Sequence, residues 1–298
     1  MTDFLTGYSI QSWLESAPQG YLEDTQYGHD AGLTEPGLVL EDPLIREQAI
    51  SLTVQLVAGE RCALAASSGL INSAPDEASK RFLATQTLDE ARHVEVFTQR
   101  LYDLGVKKAE LEDVVARYAN PNLVKFAELL LEKVDKKDFV AGVVGQNIVL
   151  EGMAFSVFEM LKAGMDGVNP KFAQTLSGTI ADERRHVGFG ENRIGSLIRE
   201  QPEKKQEVEK LQAEMTYYML ATFADRFRDP ASVEERERVK EKMAGVRTDE
   251  DPAPEWHGVN LADASPEELE NVLAGTVLGE FKNRLGRIGI DYQTPIRP

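Results

Sequence analysis

The chain has a single cysteine, Cys62, so no disulfide can form within it and a reducing compartment suits it. One thiol also argues against a structural zinc or iron–sulfur site. Cations are scarce: 33 Lys and Arg stand against 50 Asp and Glu, a formal net charge of −17. That balance argues against a nucleic-acid backbone or an anionic membrane surface as partner. No run approaches the ~18 uninterrupted apolar residues of a membrane span. The start, Met1-Thr2-Asp3-Phe4, lacks a basic region followed by an apolar core, so no signal peptide is expected and a cytoplasmic location is. Histidine is rare as well, four in 298 residues. Their placement is therefore informative.

What is present is helical periodicity. Residues 1–42, rich in glycine and scattered aromatics, read as an irregular arm with a short helix at 9–15. Asp42-Pro43 then opens a helix to about residue 73, a cap followed by a proline at the first helical position. Pro75-Asp76 opens a second, to about Leu104. Residues 107–137 carry connecting helices broken at Asn120-Pro121, and a third long helix covers about 138–163. The fourth begins at Asn169-Pro170. Further helices are expected at 202–228, at the charged stretch 231–243, and from the capped start Ser265-Pro266 to about Leu285, with 245–264 as loop. The expected fold is all-α and forms one domain: the arm, a four-helix core at 43–200, and accessory helices with a tail at 201–298.

Two of the four histidines lie in near-identical segments, Asp89-Glu90-Ala91-Arg92-His93 and Asp182-Glu183-Arg184-Arg185-His186. A Glu and a His three apart on a helix point the same way, so both can reach one metal ion. Each copy has another glutamate about thirty residues upstream within an apolar helical stripe, Glu60 and Glu151. Each half is then an antiparallel helix hairpin that brings its Glu and its Glu-x-x-His to one height. If the four acids were instead internal salt bridges, only Arg92 and Arg185 would be at hand to compensate them. An unpaired buried carboxylate costs several kcal/mol, and two divalent cations would neutralise all four. Carboxylates with imidazole suit iron or manganese.

This pattern resembles the ferritin-like, ribonucleotide-reductase-like superfamily of dinuclear metal proteins, over roughly residues 43–200. The resemblance implies a ferritin-like four-helix bundle with flanking helices, and six metal ligands: Glu60, Glu90, His93, Glu151, Glu183 and His186. It implies two bridging glutamates, which the sequence does not assign, and a homodimer. The cofactor would be two irons, with manganese or a mixed Mn/Fe pair as the other options. Asp89 and Asp182 are candidate acceptors for the far N–H of the two imidazoles, with Arg92 and Arg185 compensating their charge. Ala63, Phe97, Ala154, Phe155, Phe158 and Thr179 are candidates to line a pocket, although the phenylalanines read as ordinary core ahead of substrate contacts.

Several branches of the superfamily fit less well. Phe97 stands one turn after His93, where most radical-generating subunits have a redox-active tyrosine. Phe155 stands where multicomponent monooxygenases have threonine. Residues 119–216 hold no tyrosine, which ligand-binding oxidases of the reductase-like group join to a valine. Thr179 stands where N-oxygenating relatives add a histidine, and one cysteine cannot make a rubrerythrin-type iron domain. The expected activity is a dioxygen-dependent oxidase or monooxygenase acting on a small, largely apolar organic substrate. Its electrons would come from a separate reductase or ferredoxin, since the chain has no flavin, nucleotide or cluster motif. The alternative is a radical-generating subunit that acts on a partner protein, with Tyr292 as relay. Metal storage or peroxide scavenging comes third.

Overall fold

In the computed structural model, the described residues are 27–228, 230–243 and 254–297. The helix expected at 9–15 lies outside them. The helices are α1 (Gly37–Glu41), α2 (Pro43–Ile71), α3 (Glu77–Asp103), α4 (Leu111–Tyr118), α5 (Pro121–Asp135), α6 (Phe139–Met165), α7 (Pro170–Glu200), α8 (Lys205–Arg228), α9 (Pro230–Met243) and α10 (Pro266–Arg287). The architecture is all-α, as the periodicity requires.

The starts are where the cap residues put them. Asp42 Oδ1 accepts from the N–H groups of Leu44 and Ile45 at 2.9 and 3.2 Å, and Asp76 Oδ1 accepts from Ser79 at 2.7 Å. Asn169 Oδ1 accepts from Phe172 at 3.1 Å, and Ser265 with Glu268 closes a reciprocal capping box. Each cap satisfies N–H groups that have no partner in the helix's first turn. The helix starts are thus side-chain chemistry, and they are legible as such.

Helices α2 and α3 pack as one hairpin, and α6 and α7 as the other. Their shared interior forms two apolar clusters. The larger joins Leu70, Phe82, Phe126, Leu130, Met153, Phe189, Met215 and Phe281, from α2, α3, α5, α6, α7, α8 and α10. The accessory helices α5, α8 and α10 therefore complete the core rather than decorate it. The second cluster holds Val54, Phe97, Phe158, Phe172 and Leu176. Phe126, on α5, is fully buried. Phe126→Ala should cost about 3–5 kcal/mol in equilibrium denaturant unfolding, from lost burial plus the cavity left behind. A cost under about 1 kcal/mol would mean that α5 is not part of the cooperative core.

Three features depart from the sequence reading. Helix α6 is not regular: Val144–Leu150 is a π-helical segment, wholly buried, directly before Glu151. Residues Gly37–Glu41, expected as part of the irregular arm, form a short helix. Within the expected loop, Glu255–Trp256 and Val259–Asn260 pair as a two-residue hairpin, with His257 and Gly258 at φ 47° and 79°. Positive φ at both central residues is what such a hairpin turn requires.

The arm's described end is fastened to the bundle. Glu35 is buried and accepts from Arg100 Nε at 2.9 Å and from Asn169 Nδ2 at 2.7 Å. The Arg100 guanidinium lies 3.6 Å from the centre of the Phe172 ring. Two helices, Pro43–Ile71 and Phe139–Met165, are long and apolar enough to cross a membrane by composition alone. The apolar window of Pro43–Ile71 is 44% buried in the bundle. The apolar window of Phe139–Met165 is 83% buried against its neighbours.

Candidate metal centre

The four long helices bring the six expected ligands together at the middle of the bundle. Helix α2 contributes Glu60, α3 Glu90 and His93, α6 Glu151, and α7 Glu183 and His186. All six are buried. Two overlapping sets lie within reach of a common ion: Glu60, Glu90, His93 and Glu183, and then Glu90, Glu151 and His186.

The orientation of the rings is informative. His93 Nδ1 faces inward, 3.3 Å from Glu60 Oε2, 3.3 Å from Glu90 Oε2 and 3.4 Å from Glu183 Oε1. His186 Nδ1 also faces inward, 3.2 Å from Glu90 Oε1, 3.7 Å from Glu151 Oε1 and 3.6 Å from Glu183 Oε2. Glu90 and Glu183 thus each turn one oxygen toward each imidazole. Glu60 lies at the His93 side alone and Glu151 at the His186 side.

The far nitrogens cross between the halves. His93 Nε2 lies 3.3 Å from Asp182 Oδ2, and His186 Nε2 lies 3.3 Å from Asp89 Oδ2. Arg92 Nη2 donates to Asp89 at 2.6 Å and to Asp182 at 3.0 Å. Arg185 Nη2 donates to Asp89 at 2.9 Å and also to Asp182. The two motifs therefore form one box in which two carboxylates are shared by two guanidiniums. An acceptor at each Nε2 keeps the proton there and leaves Nδ1 free to bind a metal.

The charges show what the cluster needs. Burial pushes the Glu60 carboxyl up to about 8, against the opposing pull of His93. Burial also holds Glu151 well above the usual carboxylate range, with Glu183 adding to it. Burial raises Glu90 too, but the two imidazoles outweigh it and keep that carboxyl well below its ordinary value. Both imidazoles are held well above their ordinary value: burial lowers them, and Glu60 for His93 and Glu90 for His186 lead the groups that overcome it. Asp182 falls to about 2, its burial outweighed by His93, Arg185 and Arg92. The raised carboxyls and imidazoles favour holding protons within the cluster, the charge that a cation would otherwise supply. Glu90 Oε2, Glu183 Oε2 and His186 Nδ1 are buried without a hydrogen-bond partner, and all three face the same space. Buried polar atoms of that kind call for an unseen ligand, and the donor set fits two divalent cations.

Metal must displace those protons. Uptake should therefore release protons and tighten as pH rises toward about 8, where Glu60 loses its proton. Calorimetric titration in two buffers of different ionisation enthalpy measures the release. Proton-neutral uptake would mean that the six residues do not take the metal.

The expected pocket residues divide into two groups. A cavity of about 990 Å³ runs from Glu60, Glu151 and Glu183 between α2, α6 and α8 to the exterior near Arg117, Tyr118, Asn120 and Asp225. Ala63, Ala154 and Phe158 line it. Phe97, Phe155 and Thr179 do not. Phe97 is fully buried in the second apolar cluster, and Phe155 is beneath the guanidiniums of Arg184 and Arg284, at 5.7 and 5.2 Å. The Thr179 hydroxyl turns back to the Thr175 carbonyl. Tyr292, the tail residue a radical relay would use, is partly buried and edge-on to Phe281.

Three residues at the centre carry no motif. Gln86 Nε2 donates to Glu151 Oε1 at 2.6 Å, Gln146 Nε2 to the same oxygen at 2.9 Å, and Asn147 Nδ2 to Oε2 at 3.0 Å. Gln146 and Asn147 belong to the π-helical segment. Their signal in the sequence is a polar pair inside an otherwise apolar run just before Glu151.

No protein-family profile and no curated protein sequence matches the chain. Solved structures do. An R2-like ligand-binding oxidase with a valine-to-isoleucine substitution and an aerobically reconstituted Mn/Fe cofactor superposes at TM-score 0.61 and 16% identity, over 96% of this chain and 99% of that one. Another, with an alanine-to-phenylalanine substitution and an anaerobically reconstituted Mn/Fe cofactor, gives TM-score 0.63 at 18% identity, over 92% and 91%. A third, with a tyrosine-to-phenylalanine substitution, gives 0.62 at 17%, over 96% and 98%. The absence of tyrosine from residues 119–216 thus does not separate this chain from that group at the level of fold. The chain has the helical-bundle fold of the R2-like ligand-binding oxidases on which it superposes.

Proposed function

We propose that the chain is a dinuclear metal oxidoreductase that uses dioxygen to oxidise a small, largely apolar organic substrate. The observation that carries this reading is the buried set of four carboxylates and two inward-facing imidazoles, with a cavity opening onto three of the acids. Glu60, Glu90, Glu151, Glu183, His93 and His186 would hold two irons, or manganese with iron as in the structural neighbours. Such a pair, when bound, would relay electrons to dioxygen and act as a Lewis acid.

The chain's own residues do the rest. The Asp–Arg box fixes both imidazoles with their Nε2 protons pointing away from the centre. Leu52, Leu56, Leu150, Val157 and Leu161 make the cavity wall apolar, which suits a hydrocarbon-like substrate. Ala63 and Ala154 leave room beside Glu60 and Glu151. Electrons would come from a separate reductase or ferredoxin, and the homodimer implied by the resemblance belongs to the same reading.

A plug in the cavity tests it. Ala154→Phe should leave metal content unchanged and cut oxidation of any hydrocarbon-like substrate that the wild type accepts at least tenfold, on the order expected for loss of a positioned substrate. A panel of unbranched and aromatic hydrocarbons, with dioxygen uptake as readout, supplies the substrate. Unchanged turnover in Ala154→Phe would place the substrate elsewhere.

A further inference from the structure

Glu60 and Glu151 occupy equivalent places in the two halves, but their surroundings differ. A carboxylate offers about four lone-pair sites. Glu151 has three amide N–H groups directed at it: Gln86 at 2.6 Å and Gln146 at 2.9 Å on Oε1, and Asn147 at 3.0 Å on Oε2. Among the described residues no amide donates to Glu60; its bonded neighbour is His93. A carboxylate only accepts, so each amide must present its NH2 group to Glu151 and turn its carbonyl elsewhere. Gln146 Oε1 and Asn147 Oδ1 are consequently buried without a partner. Two unmet acceptors in a core are costly, which points to what the amides are there to hold.

The scaffold around them is built to fit. The π-helical turn carries Gln146 and Asn147 in the middle of the segment that leads into Glu151. Asn147 Nδ2 also reaches the Gln86 carbonyl oxygen at 3.0 Å and the His186 backbone carbonyl at 3.2 Å, tying α6 to α3 and α7. Gly190 leaves space for Asn147: a Cβ at Gly190 would lie 2.5 Å from the Asn147 Cβ.

We infer that Gln86, Gln146 and Asn147 are positioning residues that make the two metal positions unequal. They occupy Glu151 so that it offers a single lone pair, whereas Glu60 offers both of its oxygens. The position beside His93 then fills first and more tightly, and the position beside His186 fills second. This rests on the dinuclear reading proposed above.

Manganese(II) titration of the metal-free full chain under anaerobic conditions, with free ion counted by electron paramagnetic resonance, tests the inference without turnover. The wild type should bind in two steps at least about tenfold apart, a difference of about 1.4 kcal/mol. His186→Ala should keep the first step and lose the second, and His93→Ala should lose the tight step. The pair Gln146→Leu with Asn147→Leu should leave the first step within about twofold and tighten the second at least about threefold, since lone pairs on Glu151 are released. Gln146→Met alone, a milder change, should move the second step in the same direction if the double variant does not fold. A second step that is unchanged or weaker in the amide variants, or first filling that depends on His186, would overturn the inference. No manganese bound by the wild type would instead overturn the dinuclear reading itself.

Discussion

Glu90→Ala should purify with less than one metal ion per chain under conditions that load the wild type with about two. Glu90 is the one residue in both candidate ligand sets, with an oxygen 3.3 Å from His93 Nδ1 and another 3.2 Å from His186 Nδ1. Removing it takes a ligand from both positions at once. It also takes away the group that leads the upward hold on the His186 imidazole. A variant at one terminal position, such as Glu60→Ala, should retain part of the load. The comparison by elemental analysis matters more than either number, because only a shared ligand gives a loss at both positions. Wild-type loading in Glu90→Ala would show that the acids act as structure.

Asp182→Ala should weaken metal binding about 10- to 100-fold, although Asp182 is no ligand. Its Oδ2 faces His93 Nε2 and Arg92, and its Oδ1 takes Arg185. Without it the His93 ring loses the partner that fixes its orientation, and two guanidiniums are left sharing Asp89. Breaking a buried charge network by removing one partner costs about 3–5 kcal/mol, so thermal unfolding of the metal-free chain should also move down. Asp182→Asn separates the effects: it keeps the shape of the side chain and loses the charge. Metal affinity within twofold of wild type in both variants would show that the box does not orient the imidazoles for metal.

The candidate ligands were legible because they repeat. Two copies of a five-residue motif, each with an upstream glutamate, specify six positions, and Asp42, Asp76 and Asn169 mark the helices that carry them. The crossing of Asp89 to His186 and of Asp182 to His93 follows once the hairpins face each other. What the sequence hid was set by tertiary packing. The π-helical turn breaks the 3.6-residue period on which a reading of α6 depends, so Gln146 and Asn147 fall off the expected stripe. Phe97 and Phe155 lie on helices at plausible heights, but their rings turn into the core and under arginines instead of into the cavity. The hairpin at 255–260 turns through His257, a residue that rarely announces positive φ.

The most direct test of the central claim is to load the metal-free chain with iron(II) anaerobically, count the iron, and expose it to dioxygen in a stopped-flow absorbance instrument. The account predicts about two irons per chain and a visible absorbance change that depends on dioxygen and is absent from Glu90→Ala. Fewer than one iron per chain, or loaded protein that is optically silent toward dioxygen, would contradict it.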